Sequence, residues 1–148
     1  MRIPLYILFI SYTIRFMAFN FQRFEGVNKK YETRIGVARN GAFVFPYGFC
    51  KENEVKQFKF IELFYDQEHR AVAFHFSSDQ KPSITYTLAH GKVSGGASVS
   101  CSAFFKTNGI SATSLAGKKF TASSHDDETF GKMFIINLLE HESSQPQA

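Results

Sequence analysis

The densest group of chemistry-bearing side chains is His125, Asp126, Asp127 and Glu128, and a smaller one is Asp66, Glu68 and His69. Imidazole and carboxylate are metal-ligand types, but a metal site needs several of them converging on one point. Both groups lie between apolar runs, where Asp and its charged neighbours are the ordinary residues of a hairpin turn. The expectation is two solvated turns and no metal site. His75 interrupts the run AVAFHF, and strand alternation directs it away from Phe74 and Phe76, towards the surface. Cys50 and Cys101 have no CxxC or Cys/His metal spacing and no nearby base to lower a thiol pKa. They read as buried structural thiols. KVSGGASVS (92–100) has the Gly and Ser of a phosphate loop, yet Lys92 precedes the glycines and no long helix follows. It reads as a hairpin loop. With no catalytic constellation and no cofactor motif, the chain reads as a non-enzyme.

Cations with aromatic neighbours remain. Lys29, Lys30, Arg34 and Arg39 approach Gly41 from its N-terminal side, and Lys51 follows. Such residues neutralise phosphates, each contact adding about 0.9 to the salt slope of nucleic-acid binding. The same charges would also protect a solvated edge strand against aggregation. The 148 residues carry 17 Lys and Arg against 13 Asp and Glu, a formal charge of +4 and a pI near 9.1. That balance permits nucleic-acid or acidic partners but falls short of a histone-like surface.

These side chains must be positioned by a fold. A composition 44% hydrophobic and 20% charged is that of a globular chain, not a disordered one. The 18 Phe and 6 Tyr, with no Trp, suit pleated sheet faces. At the N-terminus, 3–14 is nearly all apolar, too short for a membrane-spanning helix and followed by no small-x-small cleavage site. Met17 is the expected start, with 1–16 untranslated; a signal or anchor, or an added strand or helix, are the alternatives. From Met17 the product is expected to be cytoplasmic and to have no membrane contact. HESSQPQA (141–148) has the composition of a disordered tail.

The middle of the chain repeats itself. Without a gap, Gly41, Val44, Phe49, Lys51, Asn53 and Val55 fall against Gly96, Val99, Phe104, Lys106, Asn108 and Ile110. Upstream, RIGVARNG and SITYTLAHG each end a strand-like run at a turn, Gly41 and Gly91, the second followed by a four-residue Gly/Ser insertion. Downstream, 59–76 reads as two strands and an acidic turn, and 118–138 as the same plan with a longer turn. A short helix lies between in each copy, and Asn108-Gly109 stops the second one. Lys81, Pro82 and Ser83 form the linker. The expected organisation is an N-terminal segment (1–30), a first repeat (31–80), a second repeat (81–140) and the tail. Neither copy buries enough apolar surface alone. The expected fold is mainly β with short helices (α+β), its two strand–helix–strand–strand repeats forming one pseudo-twofold β-barrel or sandwich.

GAFVFPYGFCKENEV with FIELFYDQEHRAVAFHF resembles the AbrB/SpoVT family of swapped-hairpin DNA-binding domains. Gly41, Pro46, Val55, Ile61, Glu62, Leu63 and Asp66 occupy the places of that family's turn, strand-ending Pro, helix end, following strand and acidic turn. The resemblance spans about 42 residues. It implies an interlocked pair of copies, here supplied by one chain acting as a pseudo-dimeric monomer or as a homodimer. It also implies double-stranded DNA as partner, met by the arm and turn carrying Lys29, Lys30, Arg34 and Arg39, with Lys51 on the helix. The sequence departs from the family where basic residues usually follow the Pro: Tyr47 and Cys50 stand there, and the second copy has Ser100 or Cys101 in place of the Pro. The whole chain also resembles small uncharacterised phage and bacterial proteins. The functional expectation is a DNA-binding, AbrB-like transcriptional regulator. The alternative is a phage- or bacteria-encoded interaction protein binding a host protein or small ligand, for which surplus aromatics would supply contact surface.

Overall fold

Alternation sets the strands. In β2 (Ala42–Phe45), Phe43 and Phe45 are fully buried while Val44 between them is 39% exposed. The computed structural model describes residues 19–23, 31–140 and 142–143 of the chain. β1 (Ile35–Ala38) turns through 39–41 into β2, which runs through Pro46 into α1 (Tyr47–Glu52) and a 3-10 turn (Val55–Gln57). β3 (Phe60–Asp66) and β4 (Ala71–Ser77) form the next hairpin. The second half runs β5 (Thr85–Thr87), β6 (Ala89–His90), β7 (Ala97–Ser100), α2 (Ser102–Thr107), α3 (Ala112–Leu115), β8 (Lys118–Phe120), β9 (Ser123–Asp127), β10 (Gly131–Asn137) and β11 (Glu142–Ser143).

The strands make two antiparallel sheets, ordered β11-β8-β1-β2-β7-β6 and β5-β3-β4-β10-β9. Each sheet therefore sets a hairpin of 31–80 beside strands of 81–140, joined through β2·β7 in one and β4·β10 in the other. The sheets share one core. Phe74 of β4 meets Phe43 and Phe45 of β2 edge-on, at 4.9 and 5.2 Å between ring centroids, and Phe76 meets Phe45 at 5.3 Å. Both short helices add to it, through Phe49 and Phe104.

The mainly β fold with short helices is present, and among the described residues no sheet closes into a barrel. Both sheets keep free edges, β11 and β6 in one and β5 and β9 in the other. The chain changes sheet at Leu88, between β5 and β6, and at 121–122, between β8 and β9, as at the corners of a packed pair of sheets. The strands beside those corners are only two to five residues long, which leaves too little ladder to close the sheet.

The residues matched in sequence behave alike at the helix ends and differently in the strands. Asn53 and Asn108 each close their helix alike, donating from Nδ2 to the carbonyls of Phe49 (3.0 Å) and Phe104 (2.9 Å). Val44 and Val99, matched in sequence, face opposite ways: Val44 is 39% exposed and Val99 1%. In the β2·β7 register Phe43 lies opposite Val99 and Phe45 opposite Ala97, so β7 is one residue out of step with the sequence match. The loop 91–96 is longer than the turn 39–41 by three residues, and its positive φ falls at Gly95. The second acidic turn, 128–130, is shorter than the first, 67–70; the extra length of the second copy goes into β8. β1 is no edge strand, being flanked by β2 and β8. Among the described residues no helix is long and apolar enough to cross a membrane. Residues 1–16 and most of the tail lie outside the described residues.

Candidate nucleic-acid interface

Each hairpin loop of the first sheet is seated on the helix of the other half. Gly41 has φ +91°, and a Cβ there would stand 2.9 Å from the Ser102 backbone at the start of α2. The Cys101 N–H donates to the Gly41 carbonyl at 2.9 Å and fixes the turn to that helix. Arg39 is exposed on this turn, and Lys106, exposed on α2, follows Ser102 by one helical turn on the same face. At the other end of the β2·β7 pair, the Gly91 N–H donates to Gly96 O (2.8 Å) and the Gly95 N–H to Gly91 O (3.1 Å), which close the loop. Gly95 lies so near Tyr47 of α1 that a Cβ would reach 2.5 Å from the ring. Lys92 is exposed on this loop, and Lys51 holds its ammonium 5.9 Å from the centre of the Tyr47 ring. Thus a loop cation and a helix cation stand at each end of a four-residue strand pair, about 13 Å long.

Of the sequence-predicted residues, Arg39 and Lys51 belong to these corners. Arg34 is held by Glu32: its Nε and Nη2 donate to the two carboxylate oxygens at 2.9 and 2.8 Å. The Arg34 guanidinium keeps the Glu32 carboxyl below its ordinary range, against the opposing effect of burial. Lys29 and Lys30 lie outside the described residues. Sequence reasoning left out Lys92 and Lys106. Lys106 had a signal, since it matches Lys51 in the repeat; Lys92 acquires its place only when the 91–96 loop docks on α1.

A groove opens beside the Tyr47 corner. One cavity of about 860 Å³ is lined by Tyr31, Tyr47, Lys51, Glu52, Val93 and Ser94. A second, of about 340 Å³, continues it along the sheet past Tyr47 and Ser94 to Val44, His90 and Ser98. Tyr31 is 75% exposed and Tyr47 39%.

The acidic turns close on themselves, but His125, Asp126 and Asp127, expected in the second turn, lie in β9, and only Glu128 of that group falls in the turn. Asp66 takes the His69 N–H at 3.1 Å and pairs with its imidazole Nδ1 at 2.8 Å. Asp127 accepts the Thr129 and Phe130 N–H groups, both at 2.9 Å. Among the described residues no three His, Cys, Asp or Glu side chains gather as metal ligands. Cys50 and Cys101 are buried, and burial pushes their thiols up to about 11 and about 12. No protein-family model matches the chain, and neither the curated proteins nor the solved structures contain a match.

Proposed function

We propose that the protein is a small non-enzymatic DNA-binding protein, an AbrB-like regulator that works in the cytoplasm as one pseudo-dimeric chain. The observation that carries this reading is the docking of each loop on the other half's helix at the two ends of β2·β7, so that exposed Arg39 and Lys106 lie on meeting elements at one end and Lys92 and Lys51 at the other. Two separated cation pairs suit the repeating phosphates of a duplex, where contacts position the protein without reading bases. The duplication adds support: both sheets join a strand of each half, and the Asn-closed helices are alike. The strand slip and the Glu32-bound Arg34 mark where this chain departs from the family pattern.

Binding to a random-sequence duplex, followed by fluorescence anisotropy at about 50 and 200 mM salt, tests the reading. Four phosphate contacts give a slope of log affinity against log salt near −3.6 (~0.9 per contact). Replacing Arg39, Lys51, Lys92 or Lys106 singly by Ala lowers that slope by about 0.9 each. No binding at low salt overturns it. A second reading, an interaction protein for a host protein or small ligand, draws on the exposed Tyr31 and Tyr47 beside the groove. Salt-tolerant binding to a protein would favour it.

A further inference from the structure

The two corners are built alike but are not equal, and the inequality is confined to one place. The helix match puts Tyr47 of α1 where α2 has Ser102. The short turn 39–41 seats directly on Ser102 and leaves no space between. The longer loop 91–96 reaches past the strand end, meets the Tyr47 ring at Gly95, and carries Val93 out to full exposure. A larger residue on the helix and a longer loop on the sheet thus coincide, and the groove is their joint product.

We infer that this groove holds an unpaired nucleobase of a DNA strand, stacked on Tyr47 beside Tyr31, with its phosphate on Lys51. This rests on the nucleic-acid reading above and adds a preference to it. Bases present an aromatic face whatever their identity, so a fixed, exposed ring flanked by a cation is a sequence-tolerant stacking platform. Contact with Gly95 restricts the Tyr47 ring, and the Lys51 ammonium stands over it, 5.9 Å from its centre, from where an entering base would displace it onto its own phosphate. The narrower cavity beyond it, about 340 Å³, lies at the small end of the range for bound organic groups (about 300–1,000 Å³). Its polar groups are few. The Ser94 hydroxyl accepts the Gly96 N–H at 3.3 Å and keeps its own proton to donate, and Ser98 lies further along. His90 spends Nε2 on the Phe58 carbonyl at 2.6 Å, which leaves Nδ1 for a base edge. A paired base inside a duplex cannot enter such a slot, because its faces are occupied by its neighbours. The slot therefore selects single-stranded ends or gaps.

The test compares affinity for a blunt duplex with that for the same duplex carrying a short single-stranded thymidine overhang, at fixed salt. The expected result is tighter binding of the overhang by about tenfold, the value of one stacked base at ~1.4 kcal/mol. Tyr47→Ala brings the ratio of the two affinities to about one, Tyr47→Phe keeps it, and Tyr31→Ala lowers it. Tyr31 is largely exposed, so its variant reports on the groove even if Tyr47→Ala fails to fold. Binding of both DNAs with a ratio near one, unchanged by Tyr31→Ala and Tyr47→Phe, overturns the stacking site and leaves the duplex reading standing. Binding of neither DNA at low salt overturns both.

Discussion

Two glycines separate the cost of backbone conformation from the cost of crowding. Gly41 (φ +91°) and Gly109 (φ +67°) both occupy the left-handed region, but a Cβ at Gly41 would strike the Ser102 backbone, whereas at Gly109 it would meet nothing within 4 Å. Gly109→Ala should cost about 1 kcal/mol, and Gly41→Ala about 2–4 kcal/mol with a shift of the turn that carries Arg39. Denaturant midpoints of the two variants check the difference. The thiols make a second prediction at this scale. An unfolded cysteine ionises near pH 8.5, while burial holds Cys50 to about 11 and Cys101 to about 12. Their contribution to stability is complete below about pH 8.5 and is lost as pH rises towards the folded values. Thiol alkylation at pH 8 should therefore follow unfolding and not precede it, and rapid labelling of the folded protein would contradict the burial. The sequence reads both thiols as buried, and the structure buries both.

At the scale of elements, the linker does more than join the halves. Glu62 lies on the side of β3 that alternation turns outward, away from Ile61, yet it is only 5% exposed. The turn at 81–85 covers it, and Lys81 Nζ donates to Glu62 Oε2 at 3.2 Å. Lys81→Met would leave that carboxylate covered without its cation. Since the Lys81 side chain is 55% exposed, the cost should be about 1 kcal/mol, read as a lower thermal midpoint. The hairpin β9–β10 depends on Asp127, whose carboxyl the Phe130 and Thr129 N–H groups hold below the usual carboxylate range. A depressed folded pKa stabilises above the unfolded value near 3.9 and ceases to do so as pH falls through the folded one. Asp127→Ala should lower the thermal midpoint at pH 7 and make a smaller difference near pH 2. The acidic turns and short helices were legible because Asp, Asn and Gly act on their nearest neighbours. The slip of β7 follows from alternation inside each strand, Phe43 and Phe45 inward in β2 and Ala97 and Val99 inward in β7, which an ungapped match of Val44 to Val99 overrides.

Over the whole molecule the two halves are inseparable. β2·β7 and β4·β10 both join one half to the other, and Phe74 at the centre of the core touches Phe43 and Phe45 across the sheets. Residues 31–80 expressed alone should show no cooperative unfolding by circular dichroism, and mixing with 81–148 should restore it. Independent folding of either piece would refute the shared core. Phe74→Ala removes the central ring and should cost about 3–5 kcal/mol, enough to unfold a domain of ordinary marginal stability. The groove and both cation corners depend on the same interlocking, since each corner takes its loop from one half and its helix from the other.

What the amino-acid order determined by itself is whatever local chemistry settles: β-rich alternation of Phe with smaller residues, Asx turns at Asp66 and Asp127, helices ended by Asn53 and Asn108, and thiols without partners. What only the tertiary structure decided is which strand face points inward, which sheet each hairpin joins, and which cations meet. Lys81 went to Glu62, and the loop that carries Lys92 to the corner of Tyr47, through the folding of the linker and loop docking. Such pairings depend on distances between segments far apart in the chain, and a local pattern carries no measure of those distances.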